Sequence, residues 1–165
     1  MTQVLKRVFY YIMLALSFCS RALRNRNLTM RLAMAAYRSQ GVVFCGMPRY
    51  IHPDAYLDGS GGLYIGERVV VSTKVIVLTH DYSVNVRQMA NPTLFCIDNL
   101  PKEDAGIFEG VRIGDWSFLG TGCIVLPGST IGKYCIIGAG AVVKGNIPDY
   151  SVVAGNPAKI IKRTC

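Results

Sequence analysis

The sequence predicts an all-β solenoid, a coil of short strands whose turns stack on one another. Between residues 107 and 143 a branched aliphatic residue recurs at every sixth position, and the residue four places later is small in most repeats. A helix repeats every 3.6 residues and a lone strand every two, so neither explains a strict period of six. Stacked coils of short strands do explain it, because each repeat then presents one aliphatic and one small residue to the interior. The aliphatic positions are Ile107, Ile113, Leu119, Val125, Ile131, Ile137 and Val143.

The small positions and the glycines complete the pattern. Two of the small positions are Cys123 and Cys135, which we expect as compact apolar fillers of the interior. Glycine is the second residue of four repeats, where we expect a hard turn with φ > 0. These glycines are Gly114, Gly120, Gly132 and Gly138. The six-residue step also reaches back through Ile51, Leu57, Ile65, Val71 and Val77, with two extra residues between Leu57 and Ile65.

Residues 1–40 form a separate segment, for which we predict one or two helices because no glycine or proline precedes Gly41. The apolar run 8–19 is flanked by basic residues but is shorter than the ~20 residues that span a bilayer. A signal peptide competes with this interpretation, but no small-x-small cleavage pattern follows promptly. We expect the segment either to pack on the solenoid or to lie on the cytoplasmic membrane face, with its arginines at the headgroups.

The remaining chain, 41–165, is expected to form one solenoid domain with an excursion and a cap. After the β-branched run 75–79, His80 ends the repeat, and 84–106 breaks the pattern as an extruded loop. Long loops of this kind are usually functional or disordered, which makes His80 a catalytic candidate at the loop base. His52 lies in a turn, where we favour a structural role. Residues 157–165 are predicted to cap the solenoid, with a short basic helix over 158–163.

The charge limits the choice of partners. The chain has 18 basic and 10 acidic residues, a net charge of +8, which suits an anionic membrane surface, nucleic acid or phosphorylated ligand. Nucleic acid ranks lowest, because no motif interleaves aromatic and basic residues. Only two histidines are present, so a three-histidine zinc site of the carbonic anhydrase type is disfavoured, and we expect no metal. The six cysteines form no C-x-x-C pair, which fits a reducing cytoplasm.

The units beginning at Ile113, Ile131 and Ile137 resemble the hexapeptide repeats of left-handed parallel β-helix acyltransferases, and 153–162 resembles their C-terminal signature. The resemblance covers roughly residues 51–163 and includes the sugar, maltose and galactoside O-acetyltransferases. It implies a left-handed coil of three hexapeptides per turn, a homotrimer with sites between subunits, and acetyl transfer from acetyl-coenzyme A.

The resemblance also implies roles for particular residues. His80 matches the family's catalytic histidine and is expected to act as general base in direct transfer. Its second ring nitrogen needs a partner, either a backbone carbonyl or an acid such as Asp81. Asp58, Asp81 and Tyr82 are candidate acceptor-binding residues. Candidate cofactor contacts are Thr121, Ala139, Lys144, Gly145, Lys159 and Lys162.

Two departures from the galactoside and maltose branch change the expected site. Phe118 stands where that branch has tryptophan, so the acceptor wall differs, and Lys144-Gly145 replaces threonine-lysine, which displaces the phosphate contact by one position. Three functions remain open at this stage. They are O-acetylation of a sugar, polysaccharide or lipid-linked precursor, N-acetylation of an amino-sugar nucleotide or an antibiotic, and a non-catalytic scaffold. The identity of the acceptor depends on residues 84–106 and on Trp116. Local sequence patterns do not predict how these residues are arranged.

Overall fold

The structure, a computed structural model, describes residues 3–22, 25–90 and 106–164. Its core is a solenoid of short strands in three sheets, here called A, B and C, which are parallel except for the last strand of sheet B. An edge is named by the two sheets that it joins. Sheet A contains β1 (Val42–Phe44), β4 (Leu63–Ile65), β9 (Val111–Ile113), β12 (Thr130–Ile131) and β15 (Asn146–Ile147). Sheet B contains β2 (Tyr50–Ile51), β5 (Val70–Val71), β10 (Phe118–Leu119), β13 (Ile136–Ile137), β16 (Ser151–Ala154) and β17 (Lys159–Arg163). Sheet C contains β3 (Tyr56–Leu57), β6 (Ile76–Val77), β11 (Ile124–Val125) and β14 (Val142–Val143).

The strand register confirms the prediction of three hexapeptides per coil. Leu119 pairs with Ile137 and Val125 pairs with Val143, so equivalent residues of successive coils are 18 positions apart. In the first two coils Ile51 pairs with Val71, a step of 20 residues, which accommodates the two extra residues found in the sequence. The solenoid is therefore a stack of triangular coils.

The interior consists of the two columns that the sequence predicted. From Ile51 onward the aliphatic positions are buried, with the exception of Ile107. Ser117, Cys123, Ser129, Cys135 and Ala141 are also buried. The inward Ser117 hydroxyl donates to the Gly132 carbonyl at 2.8 Å, which satisfies it. The assignment of Ile107 to the repeat was wrong: it lies in β8 (Ile107–Phe108), which pairs with β7 (His80–Asp81) outside the three sheets.

The prediction that the second-position glycines adopt a positive φ was also wrong. None of these four glycines has a positive φ. Each instead lies against the next coil: a Cβ on Gly114 would lie 2.5 Å from the Gly132 carbonyl carbon, and one on Gly120 would lie 2.6 Å from the Ile137 oxygen. The left-handed conformation belongs to the fourth position of the repeat, occupied by Trp116, Gly122, Gly128, Tyr134 and Gly140. The glycines are therefore required by close stacking of coils rather than by turn geometry.

Two helices precede the solenoid, as predicted. Helix α1 (Gln3–Ala22) packs along α2 (Arg26–Ser39), and Asn25 caps α2 by accepting a hydrogen bond from the Leu28 amide. Helix α2 covers the end of the solenoid, because Met30, Ala33 and Tyr37 join its hydrophobic core and the Tyr37 hydroxyl donates to the Ala55 carbonyl. Within the described ranges no helix is both long enough and apolar enough to cross a membrane.

The predicted C-terminal helix over 158–163 was wrong. Strand β17 pairs antiparallel with β16, and Val152 lies opposite Lys162. The β-branched Ile160 and Ile161 favour an extended chain, and the free edge of sheet B offers backbone partners that a helix would leave unused. The segment still caps the solenoid, but it does so as a strand.

The excursion of the chain begins earlier than the predicted loop. It opens with β7, continues into α3 (Ser83–Ala90), which starts one residue before the range 84–106, and closes with β8, which pairs antiparallel with β7. The rest of that range, 91–105, lies outside the described residues, so the predicted loop is described only at its two ends.

Candidate functional site

His80 lies on the CA edge, at the base of the excursion, where Thr79 fixes its backbone. Thr79 is fully buried, and its carbonyl accepts a hydrogen bond from the Glu109 amide at 2.9 Å, which ties the two ends of the excursion together. Its hydroxyl accepts a hydrogen bond from the Gly61 amide at 2.8 Å. The imidazole is therefore held by a rigid wall of coils rather than by a free loop.

The Asp58 carboxylate orients the imidazole of His80. Its Oδ2 lies 2.7 Å from Nδ1 of His80, and the Ser60 hydroxyl oxygen lies 3.3 Å from the same nitrogen. An ionised carboxylate only accepts hydrogen bonds, so Nδ1 must carry the proton, and Nε2 is left with its lone pair. In the part of the chain that the structure describes, no hydrogen bond engages Nε2. The arrangement can therefore accept a proton at Nε2.

Asp58 is ionised because its neighbours stabilise the negative charge. Burial by itself would raise the pKa of this carboxyl, but hydrogen bonds from the Thr79 hydroxyl, the Ser60 amide and the Thr79 amide outweigh burial and hold the pKa well below its usual range. The Thr79 hydroxyl and amide lie 2.7 and 2.9 Å from Oδ2, and the Ser60 amide lies 2.9 Å from Oδ1. A charged Asp58 is thus available to His80 throughout the neutral range.

Two aromatic side chains flank the imidazole. The ring of Tyr82 lies edge-on to that of His80, with 5.3 Å between the centroids, and the ring of Phe108 lies 6.1 Å away. Both aromatic side chains are about half exposed, 46% for Tyr82 and 51% for Phe108. They provide an apolar wall beside a partly exposed imidazole, a surface against which a thioester or a sugar ring can pack.

The expectation that Asp81 could orient His80 was wrong. Asp81 Oδ1 instead accepts a hydrogen bond from the Ser83 amide at 2.7 Å, at the start of α3. That bond, followed by the charges of Lys144 and Arg87, holds the pKa of Asp81 below its usual value. Asp81 therefore shapes the start of the excursion. Because the charge of Lys144 lowers the pKa of Asp81, that lysine lies near the base of the same excursion.

His52 has the structural role that its position predicted. Its Nδ1 contacts Asp54 and its Nε2 contacts Arg21, so both ring nitrogens are engaged and the end of α1 is joined to the first coil. Asp54 also accepts a hydrogen bond from the Thr73 hydroxyl at 2.7 Å, which links it to the second coil. The chain's second histidine is therefore a structural contact and not part of the His80 site.

The predicted cofactor residues lie in three places. Lys144 and Gly145 follow β14 on the CA edge, the edge that carries His80. Thr121 and Ala139 lie on the BC edge, one coil apart, and the Gly140 amide donates to the Thr121 carbonyl at 2.9 Å. Lys159 and Lys162 lie on β17 at the end of sheet B. A single chain therefore does not bring all six residues together.

The BC edge has an open backbone next to its two candidate residues. A Cβ added to Gly122 or Gly140 would meet no atom within 4 Å, in contrast to the crowded glycines of the second position. Extended ligands such as a pantetheine arm can approach a bare backbone of this kind closely. The surface around Thr121 and Ala139 therefore leaves its backbone open to an extended ligand.

Residues 106–145 match the family model described as bacterial transferase hexapeptide (six repeats). This stretch carries the hexapeptide repeat. This hexapeptide-repeat chain is 36% identical over 112 residues to a probable acetyltransferase of Mycobacterium tuberculosis, a match that covers 62% of the chain and 37% of that protein. It is 31% identical over 127 residues to an Escherichia coli protein assigned to lipopolysaccharide biosynthesis as an O-acetyl transferase, covering 75% of the chain and 62% of that protein.

The hexapeptide-repeat chain spans less than two thirds of the length of these two relatives. Among solved structures it resembles a galactoside acetyltransferase in complex with coenzyme A, with a TM-score of 0.61 and 17% identity, covering 97% of the chain and 81% of that structure. At this identity the likeness shows the fold alone. The fold is the left-handed parallel β-helix.

Sequence reasoning missed Thr79 and Ser60 and gave Asp58 only a minor role. A signal for Asp58 was present: Leu57 pairs with Val77, so Asp58 and Leu78 are equivalent positions of successive coils. His80 follows two residues later, and the first-coil step of 20 residues places Asp58 beside the start of the excursion. The contribution of Thr79 could not be found in this way, because it depends on which hydroxyl rotamer the buried turn allows.

Proposed function

We propose that this protein transfers the acetyl group of acetyl-coenzyme A to a hydroxyl group of a saccharide, with His80 as general base. The observation that carries the proposal is the Asp58–His80 pair at 2.7 Å, which fixes the proton on Nδ1 and leaves Nε2 able to accept another. The relatives named as acetyltransferases support acyl transfer, and the relative assigned to lipopolysaccharide biosynthesis supports a saccharide acceptor.

In the proposed reaction the acceptor oxygen attacks the thioester carbonyl carbon while its proton moves to Nε2 of His80. The tetrahedral intermediate then collapses, the carbon–sulfur bond breaks, and the coenzyme A sulfur leaves with the proton that His80 returns. Asp58 stabilises the imidazolium that forms between these two steps, and it is already ionised, so no further proton is exchanged. The products are the acetyl ester and free coenzyme A.

We propose further that the active protein is a homotrimer with each site between two copies. The support is the separation of the candidate residues: His80 and Lys144 lie on the CA edge, whereas Thr121 and Ala139 lie on the BC edge of the same chain. A groove formed by the CA edge of one copy and the BC edge of the next would bring both sets to one cofactor. The two edges cannot meet within one rigid coil.

The test is coenzyme A release from acetyl-coenzyme A in the presence of saccharide acceptors, with the products identified by mass spectrometry. We expect thiol release that depends on a hydroxyl acceptor, from a sample whose mass by light scattering is about three times the 18.1 kDa of the chain. Acetylation of amines alone would replace the proposed acceptor class by amino sugars or antibiotics. Absence of coenzyme A binding by calorimetry would contradict the proposal and favour a non-catalytic scaffold.

We also propose that α1 contacts an anionic membrane surface and thereby brings the enzyme to a lipid-linked acceptor. Along this helix Val4, Val8, Ile12 and Leu16 follow a four-residue spacing and are each 45% or more exposed. Ser17, on the opposite side of the helix, is buried. An exposed apolar stripe flanked by basic residues is typical of a helix that lies in the headgroup region.

Vesicle co-sedimentation tests this contact. We expect the chain to sediment with vesicles that contain phosphatidylglycerol, and the double substitution Val8→Glu and Ile12→Glu to lower the bound fraction at least about fivefold. The control is Ile161→Glu, which changes an exposed apolar residue on β17, far along the solenoid from α1. Equal losses for the control and the double variant would show that the stripe has no specific role.

A further inference from the structure

A basic cavity lies between helix α2 and the AB edge of the first two coils. It has a volume of about 590 Å³, and its wall consists of the first turns of α2, the turn after β1 and the turn after β4. Among the described residues, four arginines line it and no acidic residue does. We call it the arginine cavity, and its arginines are Arg26, Arg31, Arg49 and Arg68.

Most of the positive charge around this cavity is uncompensated. Of the four arginines only Arg68 has a carboxylate partner in the described part of the chain, Glu67 at 3.6 Å, and both of those side chains are half exposed. Arg26 donates to the Arg49 carbonyl at 3.0 Å, a contact that fixes its position without neutralising it. Like charges that converge on one cavity repel one another, and a bound anion removes that repulsion.

The floor of the arginine cavity is preformed. Met30 and Pro48 line it and are buried, and the Ile51 amide donates to the Met30 sulfur at 3.2 Å. On the far side, the Arg68 guanidinium lies over the Trp116 ring, 5.6 Å from its centroid. The arginines therefore project from a helix and two coils whose relative positions are set by core packing, which lowers the entropy cost of gathering them around a ligand.

We propose that the arginine cavity is a binding site for a phosphate-bearing ligand, and for a diphosphate in preference to a single phosphate. Planar guanidinium groups match phosphate oxygens in bidentate geometry, which makes arginine the preferred side chain for such sites. Three arginines without a carboxylate partner match the charge of a diphosphate better than that of a monophosphate. The volume of the cavity also exceeds that of a diphosphate, so it accommodates a group attached to one end.

The site is distinct from that of acyl transfer and does not depend on it. The arginine cavity opens on the AB edge, whereas His80 and Asp58 lie on the CA edge. A phosphate-bearing ligand could come from solution, as a free or nucleotide diphosphate, or from a membrane, as a lipid headgroup. Both sources present the same chemistry to the arginines, and the experiment separates them.

The experiment is isothermal titration calorimetry of the full chain with inorganic pyrophosphate and with inorganic phosphate at low ionic strength. We expect pyrophosphate to bind more tightly, and the double substitution Arg31→Gln and Arg49→Gln to weaken its binding at least about tenfold. The control is Arg163→Gln on β17, which also removes an arginine charge, but outside the cavity. It should change the affinity for pyrophosphate less than about twofold. Thermal unfolding of each variant verifies that it is folded.

A second arm uses phosphatidylglycerol vesicles with the same variants and with α1 unchanged. Loss of pyrophosphate binding in the double variant with vesicle binding intact supports the site and assigns it a soluble ligand. Loss of vesicle binding supports the site and assigns it a lipid headgroup. If the double variant and the control behave alike in both arms, the arginine cavity is not a phosphate site.

Discussion

Substituting His80 by asparagine lowers the turnover number of acetyl transfer by about 10² to 10⁴, the usual contribution of a positioned general base. The loss follows from the geometry, because asparagine has no atom that can take a proton from the acceptor at neutral pH. The fold should persist, since the His80 side chain is partly exposed, at 29%, and contributes no core packing. The measurement is the initial rate of coenzyme A release at saturating acetyl-coenzyme A.

The chain supplies its own matched control for this experiment. His52→Asn removes the second histidine, whose ring nitrogens are engaged by Asp54 and Arg21. This variant should keep its turnover number within about twofold of the parent, even if its melting temperature falls, because the residue lies outside the site. Equal losses of activity for the two histidine variants would show that His80 has no special role.

Asp58→Asn tests the carboxylate partner of His80. Asp58 accepts hydrogen bonds on both oxygens, from Ser60 on Oδ1 and from Thr79 and His80 on Oδ2. An amide can accept on only one of them, and if its NH₂ group faces Nδ1 it selects the imidazole tautomer that carries the proton on Nε2. We therefore expect a loss of at least about tenfold in turnover for this positioning residue, with the Michaelis constant for acetyl-coenzyme A little changed.

The second large effect concerns stability. Gly114→Ala should lower the free energy of unfolding by about 3 kcal/mol or more, because the new Cβ would lie 2.5 Å from the Gly132 carbonyl carbon and 2.7 Å from the Lys133 amide nitrogen. These are backbone atoms of the next coil, which cannot move away as a flexible side chain can. The expected fall in melting temperature is roughly 6 to 12 °C for a chain of this size.

Gly122→Ala is the matched control, since this glycine lies in the adjacent hexapeptide and has the opposite properties. Its φ is +66°, and a Cβ there would meet no atom within 4 Å. The substitution should therefore cost only the ~1–2 kcal/mol of a left-handed conformation. Trp116 and Tyr134 adopt the same conformation at the equivalent position, which shows that the fold tolerates side chains there. A larger loss for Gly122→Ala than for Gly114→Ala would contradict the close-stacking explanation.

Features of the fold that follow from the local repeat could be predicted from the sequence, whereas those that depend on contacts between coils could not. The six-residue period fixed the two interior columns, because every coil places the same positions inward. The period could not show why glycine is required at the second position, since contact between coils joins residues 18 apart, such as Gly114 and Gly132. It also could not distinguish a strand from a helix at 159–163, where the free edge of sheet B decides the outcome.

The candidate site could be predicted less completely than the fold, because its key contacts also join different coils. His80 was identified from a break in the repeat, which is a local signal. Its orienting partner was left open between a backbone carbonyl and an acid such as Asp81, whereas the structure places Asp58, one coil away, at Nδ1. The ionisation of Asp58 depends in turn on the buried hydroxyl of Thr79, and a hydrogen bond between turns of successive coils leaves no mark in the residue pattern.

The most direct test of the central proposal, proton transfer at Nε2 of His80, is the pH dependence of kcat/KM for the acceptor from about pH 5 to 9. For the parent protein we predict a rate that rises with pH along a limb of unit slope and then levels, because only the neutral imidazole can accept the proton. In His80→Asn this limb should be absent and the residual rate should be flat over the same range. If the limb persists unchanged in His80→Asn, another group is the base and the proposed mechanism is wrong.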